Sequence, residues 1–152
     1  MPDIKASPSV EVNYEPRHLD LPDLPSDLLS MALQDLCAVE QSTQEYAIDM
    51  TKWHVPGRGV CYVCLAGALL TRFLEMDELV HHPQGRFDDV TFQKLGAVDL
   101  FRCGSLRSGV RFMGLPVPPG LCDMEVTAYD EDPSSFRTCI AMASQELKRV
   151  GL

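Results

Sequence analysis

Cys61 and Cys64, set three positions apart, follow a tryptophan, a histidine and a Pro-Gly turn, and this is the most distinctive stretch of the sequence. A Cys-x-x-Cys pair can hold zinc, cycle as a dithiol or supply a nucleophile. Structural zinc takes four ligands, commonly from two such pairs. The other candidate ligands, His54, His81, His82 and Cys103, stand at no recognisable ligand spacing. Cys61 and Cys64 are therefore weak metal candidates, and no metal or other cofactor is expected. Thiols in the first turn of a helix have lowered pKa values, but thioredoxin-like motifs sit in a βαβ setting that this sequence does not offer. His54 is close enough in sequence to activate either thiol as a Cys–His pair, yet no pattern supplies the orienting third group. Free cysteine in an apolar run packs as a small hydrophobe, and that reading is favoured for both. Trp53 can stack a flat ligand, but a lone tryptophan near a strand end more often anchors a core.

The same stretch offers a second kind of chemistry. Lys52, His54 and Arg58 precede an apolar segment starting at Val60, and Gly57 and Gly59 allow close backbone approach. If a helix starts at Val60, its free N–H groups and dipole favour an anion there. Farther along, Arg102, Arg107 and Arg111 fall in a stretch, residues 100–122, with no acidic side chain. Arg107 and Arg111 are four apart and share a helical face. Lys52, Trp53, His54, Arg58, Arg102, Arg107 and Arg111 are thus the candidate ligand-binding residues, suited to a small phosphate-bearing molecule. The competing expectation is that these cations pair with acidic side chains of the N-terminal third.

The run Trp53-His54-Val55-Pro56 through Cys61-Tyr62-Val63-Cys64-Leu65-Ala66-Gly67-Ala68 resembles small proteins encoded by tailed bacteriophages and prophages, which carry a similar Trp-His, Pro and Cys-x-Val-Cys-Leu-Ala-Gly-Ala pattern. The likeness extends to the segment Lys94–Gly104 and to Pro133 and Phe136, about half of the chain in all. It implies a viral accessory protein acting in the cytoplasm of an infected bacterium, and it brings no activity with it.

The elements that position these residues follow from periodicity. Leu29, Ala32, Leu33, Leu36 and Cys37 put an apolar face on a helix that Ser26 can cap and Asp27 can support. Tyr46, Ile48 and Met50 alternate with Ala47, Asp49 and Thr51, which predicts a short strand. Pro56-Gly57-Arg58-Gly59 is a turn. Val60 to about Leu74 is apolar on nearly every side, with Ala66, Gly67 and Ala68 in its middle, and reads as a buried central helix that lets a neighbour approach closely. A further helix is expected from about Thr91 to Arg102, a short one up to Met113, and a last one opened by Asp132-Pro133 with Phe136, Ile140, Ala143 and Leu147 facing inward.

Composition sets the outer limits. The chain has 152 residues, of which 45% are hydrophobic, enough for one domain that buries roughly two thirds of its unfolded surface. Residues 1–25 hold five prolines and little periodicity, and read as an acidic N-terminal arm on a single globular domain, residues 26–152. Residues 1–51 carry ten acidic and two basic side chains, while the remainder is nearly neutral and the whole chain has a net charge of −9. Such a balance disfavours direct nucleic-acid binding, which depends on neutralising phosphates. The six cysteines are scattered through apolar surroundings, the start of the chain lacks the apolar stretch of an export signal, and the Val60–Leu70 run, 11 residues, is too short to span a bilayer. Reduced, mostly buried thiols in a cytoplasmic protein without a membrane partner are expected.

These readings converge on a mainly α fold around a central helix at about 60–74, with room for a small β element that would make it α+β. The expected function is non-enzymatic: a phage accessory protein that binds a host or anti-phage defence component through its acidic arm and first helix. Sequestration of a phosphate-bearing nucleotide ligand and a Cys/His enzyme centred on Cys61, Cys64 and His54 are the alternatives. Oligomeric state is not legible.

Overall fold

A computed structural model of the chain describes residues 15–102 and 105–152. In order, its elements are α1 (Pro25–Gln41), β1 (Tyr46–Ile48), β2 (His54–Pro56), β3 (Cys61–Val63), α2 (Leu65–Leu70), α3 (Asp89–Arg102), α4 (Leu106–Phe112), α5 (Pro119–Cys122) and α6 (Pro133–Arg149). The fold is α+β: helices α1 and α2 pack on a three-stranded sheet of order β1-β3-β2, and the other helices pack among themselves and on these two. No helix among the described residues is long and apolar enough to cross a membrane.

β2 and β3 are antiparallel, with His54 opposite Val63 and Pro56 opposite Cys61, whereas β1 runs parallel to β3. The expected Pro-Gly turn closes the β2–β3 hairpin. Gly57 N–H donates to the Val60 carbonyl at 2.7 Å, and Gly59 takes a φ of +78°, the left-handed region that glycine enters without a Cβ penalty. On its outer side β2 pairs with one more residue, since His54 and Val80 exchange both backbone hydrogen bonds, at 3.1 and 2.8 Å.

The central helix is shorter than its sequence suggests. Residues 61–63 are strand β3, and only Leu65–Leu70 are α-helical. A continuous apolar run fits a strand buried on both faces as well as a buried helix, and periodicity does not separate them. β3 is the middle strand, and α2 leaves it through Cys64, whose sulfur accepts from Gly67 N–H at 3.3 Å as the N-cap. Every α2 residue is buried, and the helix packs against α1, α3, β2 and β3.

α1 buries Leu28, Leu29, Ala32, Leu36 and Val39 on one face, and α6 buries Phe136, Ile140, Ala143 and Leu147. The two helices form the most extensive helix–helix contact of the fold. At one end Glu40 accepts from Tyr129 Oη at 2.5 Å and from Arg137 at 2.7 Å. At the other, Ser144 Oγ donates to the Ser26 carbonyl at 2.7 Å. Ser26 is not the N-cap. Pro25 occupies the first helical position, where a missing N–H costs nothing, and the Ser26 N–H and hydroxyl both donate to the Leu152 carbonyl. α6 starts as expected, with Asp132 accepting from Ser135 N–H at 3.2 Å ahead of Pro133.

The N-terminal segment contributes more to the core than its prolines imply. Leu19 and Leu21 are buried. Leu19 N–H donates to Thr91 Oγ1 at 3.0 Å, and the Lys94 ammonium reaches the Leu21 carbonyl at 2.9 Å and Asp23 at 2.8 Å. Leu19, Leu21 and Asp23 are therefore fastened to α3. Residues 1–14 of the expected arm lie outside the described residues, as do Cys103 and Gly104.

Candidate functional site

The hairpin brings His54 and Cys61 into contact. Cys61 Sγ lies 3.6 Å from His54 Nδ1 and 3.7 Å from Nε2. A sulfur in line with the Nε2 lone pair would lie much farther from Nδ1, so near-equal distances put the thiol off the line along which a proton would pass. Nδ1 has its own partner: it donates to the Glu78 carbonyl at 2.6 Å, which leaves Nε2 as the unprotonated nitrogen. Both residues are fully buried. Burial lowers the His54 pKa and pushes the Cys61 thiol up to about 11, so each is held in its neutral form. Cys64 is also buried and pushed up to about 11 by burial, while its sulfur caps α2. Nucleophilic chemistry needs a thiolate that a substrate can reach, and this pair offers neither.

Among the described residues, no group of three or more His, Cys, Asp or Glu side chains is placed to hold a metal ion. His81 and His82 are exposed. The five described cysteines are free thiols, but Cys61 and Cys64 alone are buried: Cys37 and Cys139 are half-buried and Cys122 is exposed. Burial of most thiols is thus corrected to burial of the Cys-x-x-Cys pair.

The expected anion cradle at Val60 does not form, because strand β3 stands where its helix would begin and the six-residue α2 is already capped by Cys64. Arg58 sits exposed at the hairpin tip, and His54 points into the core. Lys52 is half-buried in the turn before β2, where its charge helps hold the Asp49 carboxyl below its ordinary value, after the stronger effect of the Thr51 hydrogen bonds. Trp53 packs its half-buried side chain against the core.

The later arginines divide. Arg102 is bound to Asp99 at 2.9 Å. Arg107 and Arg111 are exposed one turn apart on α4, with no ion pair to a described residue. Pairing with the acidic N-terminal third does occur, through other cations: Arg72 with Asp35 at 2.6 Å, Lys94 with Asp23 at 2.8 Å and Arg137 with Glu40 at 2.7 Å. Two of those pairs hold Asp35 and Glu40 of α1 against the fold, while Asp27 of the same helix is exposed.

A groove absent from the sequence reading lies along the outer face of α6. Residues 123–127 hold no regular secondary structure and lie beside the helix, tethered where Cys139 Sγ donates to the Glu125 carbonyl at 3.2 Å. The groove has a volume of about 440 Å³ and is lined by Asp123, Met124, Glu125, Thr138, Cys139 and Met142 among others. Its legible signal was charge: residues 112–136 contain five acidic side chains and no basic one.

Comparison of the chain with protein-family models, curated proteins and solved structures gives no match. The functional reading therefore rests on the site geometry and on the sequence motifs.

Proposed function

We propose that this chain is a non-enzymatic binding protein, a phage accessory factor that engages a protein of the infected host or of its anti-phage defences. One observation carries the binding half of this reading. The groups best suited to chemistry, His54, Cys61 and Cys64, are spent on the core, with both thiols held protonated. The groups left facing solvent, the acidic segment and the Met142 groove, suit recognition of another protein. The phage setting is supported by the Cys-x-Val-Cys-Leu-Ala-Gly-Ala pattern alone. Affinity capture with the full tagged chain from infected cells, followed by reconstitution with the purified partner, tests the proposal. A reconstituted complex that survives Cys61→Ala supports it. Substrate turnover lost on Cys61→Ala would replace it with the Cys/His enzyme reading.

A second reading is favoured by Arg107 and Arg111, whose guanidinium groups are exposed and unpaired among the described residues. Together they suit the phosphates of a small nucleotide ligand. Thermal shift against a nucleotide panel tests this, since a ligand bound only to the native state raises the melting temperature by mass action. A rise that disappears in Arg107→Ala/Arg111→Ala identifies this site, and no rise with any nucleotide removes the reading.

A further inference from the structure

We infer that the groove between α6 and residues 123–127 is the docking site for a cationic, amphipathic segment of a partner protein, a conclusion that rests on the binding function proposed above and gives it a location. The groove holds an adaptable apolar patch among the polar side chains of Thr127, Ser134, Ser135 and Thr138. Met142 is 51% exposed, among the most exposed large hydrophobic residues of the described chain, and it shares the groove with Met124 and Cys139. Unbranched methionines reshape themselves around different apolar partners, and an exposed apolar patch rimmed by polar groups marks an interaction surface.

The rim has one sign. Asp123 and Glu125 line the groove directly. Asp132 stands at its other end, bound to Ser135 through both carboxylate oxygens, and Asp130 and Glu131 precede it, exposed. The nearest cation in sequence, Arg137, is tied to Glu40 at 2.7 Å. Lys148 and Arg149 lie in the last turn of α6, and Arg149 is bound to Glu146. None of the five acidic groups forms an ion pair with a described residue.

Residues 125–127 add unused backbone. The N–H groups of Glu125, Val126 and Thr127 find no hydrogen-bond acceptor among the described residues. Val126 is half-buried while Glu125 and Thr127 are exposed. An incoming segment can therefore seat apolar side chains on Met124 and Met142, meet carboxylates with its lysines or arginines, and accept hydrogen bonds from the outer backbone.

Charge selects the occupant. A second copy of this chain carries −9, nucleic acid is polyanionic, and the arm preceding residue 15 holds Asp3 and Glu11 against Lys5. All three would bring negative charge to a negative rim, whereas a cationic segment gains in both association rate and specificity. A few apolar anchors then carry most of the affinity.

The test uses the full chain and two synthetic peptides with the same leucine pattern, one bearing lysines and the other glutamates between the leucines. Fluorescence titration is expected to show the lysine peptide binding at least about tenfold more tightly, with affinity falling as salt is raised. Met142→Asp and Glu125→Lys, both at exposed positions, are each expected to weaken binding by about tenfold or more without lowering the melting temperature. Should either variant misfold, amide exchange of the unsubstituted protein still decides: bound peptide should protect residues 123–142. Equal binding of both peptides, no binding, or protection confined to another face overturns the inference. The capture experiment separates the groove from the host-binding function. A host protein retained equally by Met142→Asp removes the groove and leaves the binding function standing. A peptide bound in the groove, with no protein captured from infected cells, removes the host-binding proposal and leaves the groove.

Discussion

The Trp53 carbonyl oxygen occupies the space that a Cβ on residue 67 would fill. With an ideal Cβ built at Gly67, the Trp53 carbonyl carbon is 2.7 Å away and Val63 Cβ 3.0 Å away. The backbone entering β2 thus lies directly on α2, and this contact sets how closely sheet and helix approach.

Two effects of opposite sign meet at Gly67, which makes Gly67→Ala the informative substitution. Helix propensity alone favours alanine over glycine by about 0.8–1 kcal/mol. The overlap with Trp53 forces the backbone or the helix to shift, at a cost of about 1–3 kcal/mol or more. The contact is expected to win, giving a lower melting temperature and a lower urea midpoint for Gly67→Ala, and a larger loss for Gly67→Leu. A variant more stable than the parent chain would show that the sheet can back away from α2.

Thiol reactivity should follow burial and not the Cys-x-x-Cys motif. Burial pushes the Cys61 and Cys64 thiols up to about 11, and neither is open to solvent. Brief alkylation of the native protein at neutral pH, read by mass spectrometry, is expected to label the exposed Cys122 first and to leave Cys61 and Cys64 untouched until denaturation. Early labelling of Cys61 would reopen the Cys/His enzyme reading.

His54 gives the fold an acid-side sensitivity. Its folded-state pKa is lowered from 6.5, chiefly by burial, so the unfolded chain takes up the imidazole proton more readily than the native one. The stabilising contribution is complete above pH 6.5 and is lost as pH falls through the lowered folded value. One group changes stability by at most about 1.4 kcal/mol per pH unit. Urea unfolding across this window should show the loss, and His54→Asn, which retains a donor for the Glu78 carbonyl, should flatten it. An unchanged slope in His54→Asn would assign the sensitivity to other groups.

What could be read beforehand was whatever local chemistry decides. Asp132 and Pro133 start α6 because a carboxylate cap and a proline at the first helical position act within a few residues. The Pro-Gly-Arg-Gly turn was legible for the same reason, whereas the contact that demands glycine at 67 comes from Trp53, distant in sequence, and showed itself only as a run of small residues. Residues 60–64 were not, because strand or helix depends there on β1 and β2 arriving on either side. Of the site, the close sequence spacing of His54 and Cys61 was visible, but not that their contact would be buried and off line. The α6 groove was hidden because Met124 and Met142, eighteen positions apart, become neighbours only when residues 123–127 fold back along the helix.

The packed part of the N-terminal segment supplies the last prediction. Leu19 and Leu21 are buried, and fully burying a leucine stabilises a fold by about 1.5–3 kcal/mol. The same segment gives the Lys94 ammonium, itself 8% exposed, its two described partners, the Leu21 carbonyl and Asp23. Removing residues through 24 takes away both leucines and, with them, the Leu21 carbonyl and Asp23 that hold the Lys94 ammonium. The truncated chain is therefore expected to melt far below the parent or to aggregate. Because truncation alone does not separate packing from charge, Lys94→Met should be made in the shortened chain. It removes the stranded charge while keeping an apolar stem of similar length, and it should recover part of the lost stability. No recovery would mean that the leucines dominate, and an unchanged melting temperature on truncation would show that residues 17–23 are dispensable to the core.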